Sequence, residues 1–82
     1  VVDVDYLETI GSQLRTARKR RFPNDDLKSF ALRIGVSRAT LQKMEKGDMS
    51  VGLGKYFAAA RVLGLEANFD GLFRMKESLF DD

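Results

Sequence analysis

Neither cysteine nor histidine occurs in the 82 residues, and tryptophan is absent as well. Without thiols the chain forms no disulfide and offers no thiolate to a metal, which suits a reducing compartment. Without imidazole, the common nucleophile–base pairs and most zinc sites have no members. No enzyme, metal or cofactor is therefore expected. Carboxylates remain, but Asp25 and Asp26 are the only adjacent acids ahead of the terminal Asp81-Asp82. Side-by-side acids at a helix start act as partners of the helix dipole. No apolar run approaches the ~20 residues of a membrane span, and the N-terminus has no signal-peptide core. The expectation is a cytoplasmic protein without a membrane partner.

What is present suggests one small domain over residues 1–82, with a core that helices must pack well. The net charge of +2 hides a partition. Residues 15–55 hold eleven Lys and Arg against four acids, whereas both flanks are net acidic. A basic middle between acidic ends points to a polyanion-binding face in the central segment.

No segment alternates apolar and polar residues long enough for a strand, so the chain reads as all helical. A first helix runs from about Tyr6 to Arg20, capped by Asp5, with Leu7, Ile10, Leu14 and Ala17 as its buried stripe. Phe22-Pro23 breaks it. A second helix opens with Asn24 as cap and Asp25 and Asp26 in its first turn. Leu27, Phe30, Ala31 and Ile34 form its stripe, and Gly35 ends it. Ser37 caps a third helix over residues 38–46, which buries only Leu41 and Met44. So short a connection makes helices two and three cross steeply, as in a helix-turn-helix spanning about residues 25–46. A fourth helix covers Leu53 to Leu63, with Tyr56, Phe57, Ala60 and Leu63 inward and Gly64 at its end. A fifth, from Phe69 or Asp70 to Phe80, carries more apolar surface than it can bury on so small a body. Phe73, Leu79 and Phe80 are candidates for a dimer or partner interface there. The expected architecture is a compact five-helix bundle.

A helix that reads a DNA groove presents long donors or small apolar groups on one outward face. Arg38 can pair bidentately with guanine, Ala39 can meet a thymine methyl, and Lys43 can reach a base or phosphate. Ser37, Thr40 and Gln42 can donate to phosphate or adenine.

The run ALRIGVSRATLQKMEKGD, residues 31–48, resembles the helix-turn-helix of the Xre/Cro family of phage-repressor-like regulators, whose fold is lambda-repressor-like. An alanine stands four before the turn glycine, a serine follows the turn, and apolar residues stand six and nine after the glycine. Glu-x-Gly closes the helix. The likeness extends to IGSQLRTARKR (10–20), to GDMSVGLGKY (47–56) and to Leu63-Gly64-Leu65. Together these cover about residues 7–73.

The resemblance implies a regulator of transcription, a repressor by preference, that binds double-stranded DNA as a homodimer. It places base-reading positions on Arg38, Ala39 and Lys43, with Gln42, Ser37 and Thr40 beside them. Backbone contacts fall on Lys46 and on Lys55 at the start of helix four. A structural ion pair falls on Arg18 and Glu45. The GDMSV segment is most similar to antitoxins of the HipB type, which implies as an alternative a protein-binding module that neutralises a HipA-like kinase toxin and autoregulates its operon. One departure stands out. Between Phe22 and Gly35 the chain is longer than the family pattern by close to one helical turn, and the extra turn is acidic.

Overall fold

The computed structural model describes residues 4–75. α1 spans Val4–Arg21 and is the longest element. Asp5 lies inside it and so is not its cap, because a cap residue sits outside the helix in extended geometry. The four basic residues Arg18 to Arg21 close α1 where cations meet the negative end of the helix dipole. Of the expected stripe, Leu14 and Ala17 pack against the core, but Ile10 is about half exposed. The contact falls instead on Gly11, which is buried. A side chain there would sit 2.5 Å from the Glu45 carbonyl and 2.6 Å from the Gly47 nitrogen, so α1 lies backbone to backbone on the end of α3.

α2 covers Leu27–Ile34 and α3 covers Arg38–Glu45. The expected start of the second helix needs correcting. Asp26, not Asn24, is its cap, accepting a hydrogen bond from the Ser29 nitrogen at 2.8 Å, and Asp25 precedes the helix. The reason lies in Phe22, whose ring packs on Phe30 with centroids 5.7 Å apart. The Arg33 guanidinium lies 4.4 Å above the same ring and pairs with Asp25. This stack holds residues 22–26 as a bend along α2, so the added length is a loop and not a helical turn.

Gly35 ends α2 at φ 74°, and the next nitrogen, Val36, donates back to the Ala31 carbonyl at 3.0 Å. That six-to-one bond turns the chain sharply and leaves room for only Val36 and Ser37 before α3. α3 lies against both α1 and α2. Phe30, Leu41 and Met44 are fully buried at this crossing, with Ala31, Ile34, Val51, Ala59 and Leu63 around them.

α4 spans Leu53–Leu63 and stops at Gly64. Ala59, Ala60 and Leu63 are its buried residues, and Tyr56 is half buried. Phe57, expected inward, stands at the edge and meets Phe69 edge-on at 5.4 Å. The small Ala59 takes the inner position, where the helix comes close to its neighbours. A 3-10 segment, Glu66–Gly71, follows. Phe69 and Asp70 belong to it, so the fifth helix does not begin there, and residues 72–75 are not helical. Phe73 is 92% exposed, while Leu79 and Phe80 lie outside the described residues. Among the described residues there is no strand, and no helix is long and apolar enough to cross a membrane.

Candidate nucleic-acid interface

The α2–turn–α3 unit turns one side of α3 inward and leaves the other in solvent. Leu41 and Met44 have no exposed surface at all. Arg38, Ala39, Gln42, Lys43 and Lys46 are all exposed. Residues three and four apart share a helix face, so Ala39, Gln42, Lys43 and Lys46 form one outward stripe, with Arg38 at its start. Lys55 is exposed in the first turn of α4. None of these four cations has an ion-pair partner among the described residues.

The start of α3 is fixed by a closed pair of hydroxyls. Ser37 accepts from the Thr40 nitrogen at 3.0 Å and donates its own proton to the Thr40 hydroxyl oxygen at 2.9 Å. Thr40 therefore keeps its hydroxyl proton for an outside acceptor. At the far end, Arg18 holds Glu45 bidentately, Nε to Oε2 at 2.6 Å and Nη2 to Oε1 at 3.2 Å. The two side chains are only 7% and 10% exposed. Arg18 and Glu45 thus act within the architecture and present nothing to an outside ligand.

Two carboxylates border the basic stripe, and each is already engaged. Asp26 is held below the usual carboxylate range chiefly by its bond from the Ser29 backbone, with Lys28 and Arg38 adding to the effect. Asp48 is lowered by its hydrogen bonds to Ser50, and Lys43 contributes. Both stay ionised at neutral pH and sit close enough to Arg38 and Lys43 to pull on them. The turn after α3 is secured further by the Tyr56 hydroxyl, which donates to the Asp48 carbonyl at 3.0 Å.

Two features went unread in the sequence. Lys28 lies exposed in the first turn of α2, and its charge, like that of Arg38, favours the ionised form of Asp26. A lysine two residues after a capping acid was the available signal. Gly52 caps α4 with no side-chain bond; the Lys55 amide donates to the Gly52 carbonyl at 3.1 Å, which leaves the Leu53 and Gly54 amides ahead of it without a partner among the described residues. Free amides at a helix start suit a phosphate. Of the residues singled out from sequence, Ser37, Arg38, Ala39, Thr40, Gln42, Lys43 and Lys46 all lie on α3 or its caps. Lys55 lies on the neighbouring helix, and Phe73 stands apart, following the 3-10 segment.

Among the described residues no group of acids could hold a metal ion. No curated protein and no solved structure matches the chain. A family model described as helix-turn-helix matches residues 24–69, more than half of the chain, and takes in α2, α3, α4 and most of the 3-10 segment. The chain belongs to the helix-turn-helix family of DNA-binding transcription regulators.

Proposed function

We propose that the protein is a sequence-specific repressor that binds a two-fold operator as a homodimer and reads the major groove with α3. The observation that carries this is the division of α3. Its apolar side is wholly consumed by the core, and its other side is a row of exposed donors with no ion-pair partner among the described residues. Arg38, Ala39, Gln42 and Lys43 read base edges. Ser37, Thr40, Lys46 and Lys55 position the protein on phosphates, with Lys28 and the free amides of α4 beside them. Phosphate neutralisation makes affinity fall steeply with salt. Selection from random duplexes tests the whole reading: a palindromic consensus is the expected result, and recovery of no consensus would overturn it.

Arg38→Ala should weaken the selected site by about 1–3 kcal/mol and relax preference at one base pair. Lys46→Ala should weaken selected and unrelated duplexes by similar factors and flatten the salt dependence. Titration of both duplex types at two salt concentrations separates these effects. An Arg38→Ala protein with unchanged affinity and preference would remove α3 from the groove.

The acidic bend gives a second expectation. Asp25 already neutralises Arg33, and Asp26 caps α2, a task asparagine performs as well. Changing both to asparagine keeps the cap, frees the Arg33 charge and removes two carboxylates near phosphates. Affinity for DNA should stay the same or rise, and a marked loss in a binding titration would show that these acids support docking.

The antitoxin alternative draws on the exposed apolar side chains around Leu72 and Phe73. It requires a different protein to cover them, and the oligomeric state of the isolated chain separates that reading from self-pairing.

A further inference from the structure

The side of α1 turned away from α3 carries a second group of donors. Gly11 and Arg18 face α3, as their closeness to Glu45 shows. Thr16 and Arg20 stand two residues either side of Arg18, which puts both within about 20° of the opposite side of the helix. There a recess of about 440 Å³ opens between α1 and the end of α4, a size that suits a small molecule. Its polar wall is Ser12, Gln13, Thr16, Arg20 and Arg21. Leu65, just past the end of α4 and 42% exposed, adds an apolar wall. Gly64 makes the room. It leaves α4 at φ 74°, and a side chain there would come within 3.0 Å of Arg21 Nη2.

These donors are uncommitted. No acidic side chain lines the recess, and among the described residues neither Arg20 nor Arg21 has an ion-pair partner. The two hydroxyls and the Gln13 amide likewise have no side-chain bond among the described residues. Any cation in the last turn of α1 serves the helix dipole. The dipole does not require two guanidiniums to line one recess together with hydroxyls.

Charge and shape set what fits. Each guanidinium is a planar fork that can pair bidentately with an oxyanion. A phosphate monoester brings about 1.5 to 2 negative charges at neutral pH and three acceptor oxygens, which matches the pair better than the single charge of a carboxylate. The recess is larger than one phosphate group, and the space along Leu65 suits a carbon skeleton. We propose that it binds a small organic phosphate, with the phosphate on Arg20 and Arg21 and the skeleton along Leu65. Because the recess lies across α1 from α3, the ligand can enter whether or not α3 is engaged. Once bound, it ties the end of α1 to the end of α4.

Phenyl phosphate, inorganic phosphate and benzoate serve as probes, titrated at constant ionic strength into the nitrogen-15-labelled chain while its amide resonances are followed. Phenyl phosphate should give saturable shifts at Ser12, Thr16, Arg20 and Leu65 with a Kd of about 1 mM or tighter. Inorganic phosphate should move the same amides at least about tenfold more weakly, and so should benzoate, which has the ring but one charge. Arg20→Gln combined with Arg21→Gln should lower the affinity at least about tenfold. Thr16→Glu, at an exposed position, leaves both arginines in place and should do the same by adding a carboxylate to the recess. Circular dichroism establishes that each variant is folded. Shifts that do not saturate, or that appear equally along α3, would show general screening of positive charge and overturn the proposal. Inorganic phosphate or benzoate binding as tightly as phenyl phosphate also overturns it, as does affinity that survives in either folded variant. No DNA enters these titrations, so their outcome and that of the operator selection are independent.

Discussion

Replacing Gly47 by alanine is expected to lower the melting temperature by roughly 15–20 °C, since each kcal/mol moves a domain of this size by about 4–8 °C. Two penalties combine. Gly47 sits at φ 76°, where a side chain costs about 1–2 kcal/mol in backbone strain. The new Cβ would also run into the Leu7 carbonyl of α1, a backbone group that cannot swing aside, and overpacking of this kind costs about 1–3 kcal/mol. Gly35→Ala separates the two terms. That residue has nearly the same φ, 74°, but nothing within 4 Å of an added Cβ. Only the strain remains, and the melting temperature should fall by about a third to a half as much. Gly11→Ala should also destabilise, although alanine returns up to about 1 kcal/mol of helix propensity. Thermal unfolding followed by circular dichroism reads all three. Equal losses for Gly47→Ala and Gly35→Ala would mean that α1 does not press on the end of α3 as described.

Glu45→Ala should cost about 3–5 kcal/mol, because it strands the buried Arg18 guanidinium without its partner. Against a total stability of about 5–15 kcal/mol for a small domain, that is a large fraction. The double replacement Arg18→Met with Glu45→Met should recover most of the loss, since no buried charge is left behind. Denaturant unfolding of Arg18→Met, Glu45→Met and the double variant completes a mutant cycle. Losses that simply add would show that the two side chains stand apart in solution. Because Glu45 presents nothing outward, DNA affinity measured where the double variant is folded should match that of the wild type.

Much of the fold was legible because its signals are local. The stripe from Leu27 to Ile34, the glycines at 35, 47 and 64 and the cap at Ser37 each specify one helix or one end, and those helices are present. The misread start of α2 has a different cause. Asn24 and Asp26 can both cap a helix, and the choice depends on Phe22 reaching Phe30 and Arg33 across the bend, which no local pattern encodes. Nothing local marks Gly11 in mid-helix, and only the position of α3 shows why no side chain fits there. Phe57 and Ile10 have the right spacing for the core yet lie at its edge, because periodicity gives a face and not the width of what covers it. At the site, residue types and spacing marked α3. Lys28 follows Asp26, and its place in the first turn of α2 depends on the same choice of cap.

The sharing of labour along α3 also bears on how binding preference can change over generations. Leu41 and Met44 in the core, Ser37 at one end and Glu45 at the other hold the helix in place. Arg38, Ala39, Gln42 and Lys43 hold nothing, and exposed substitutions of that kind usually shift stability by no more than about 0.5 kcal/mol. Under the proposed groove reading, a lineage carrying this chain exchanges one operator for another by altering these four side chains, at little cost to folding at each step.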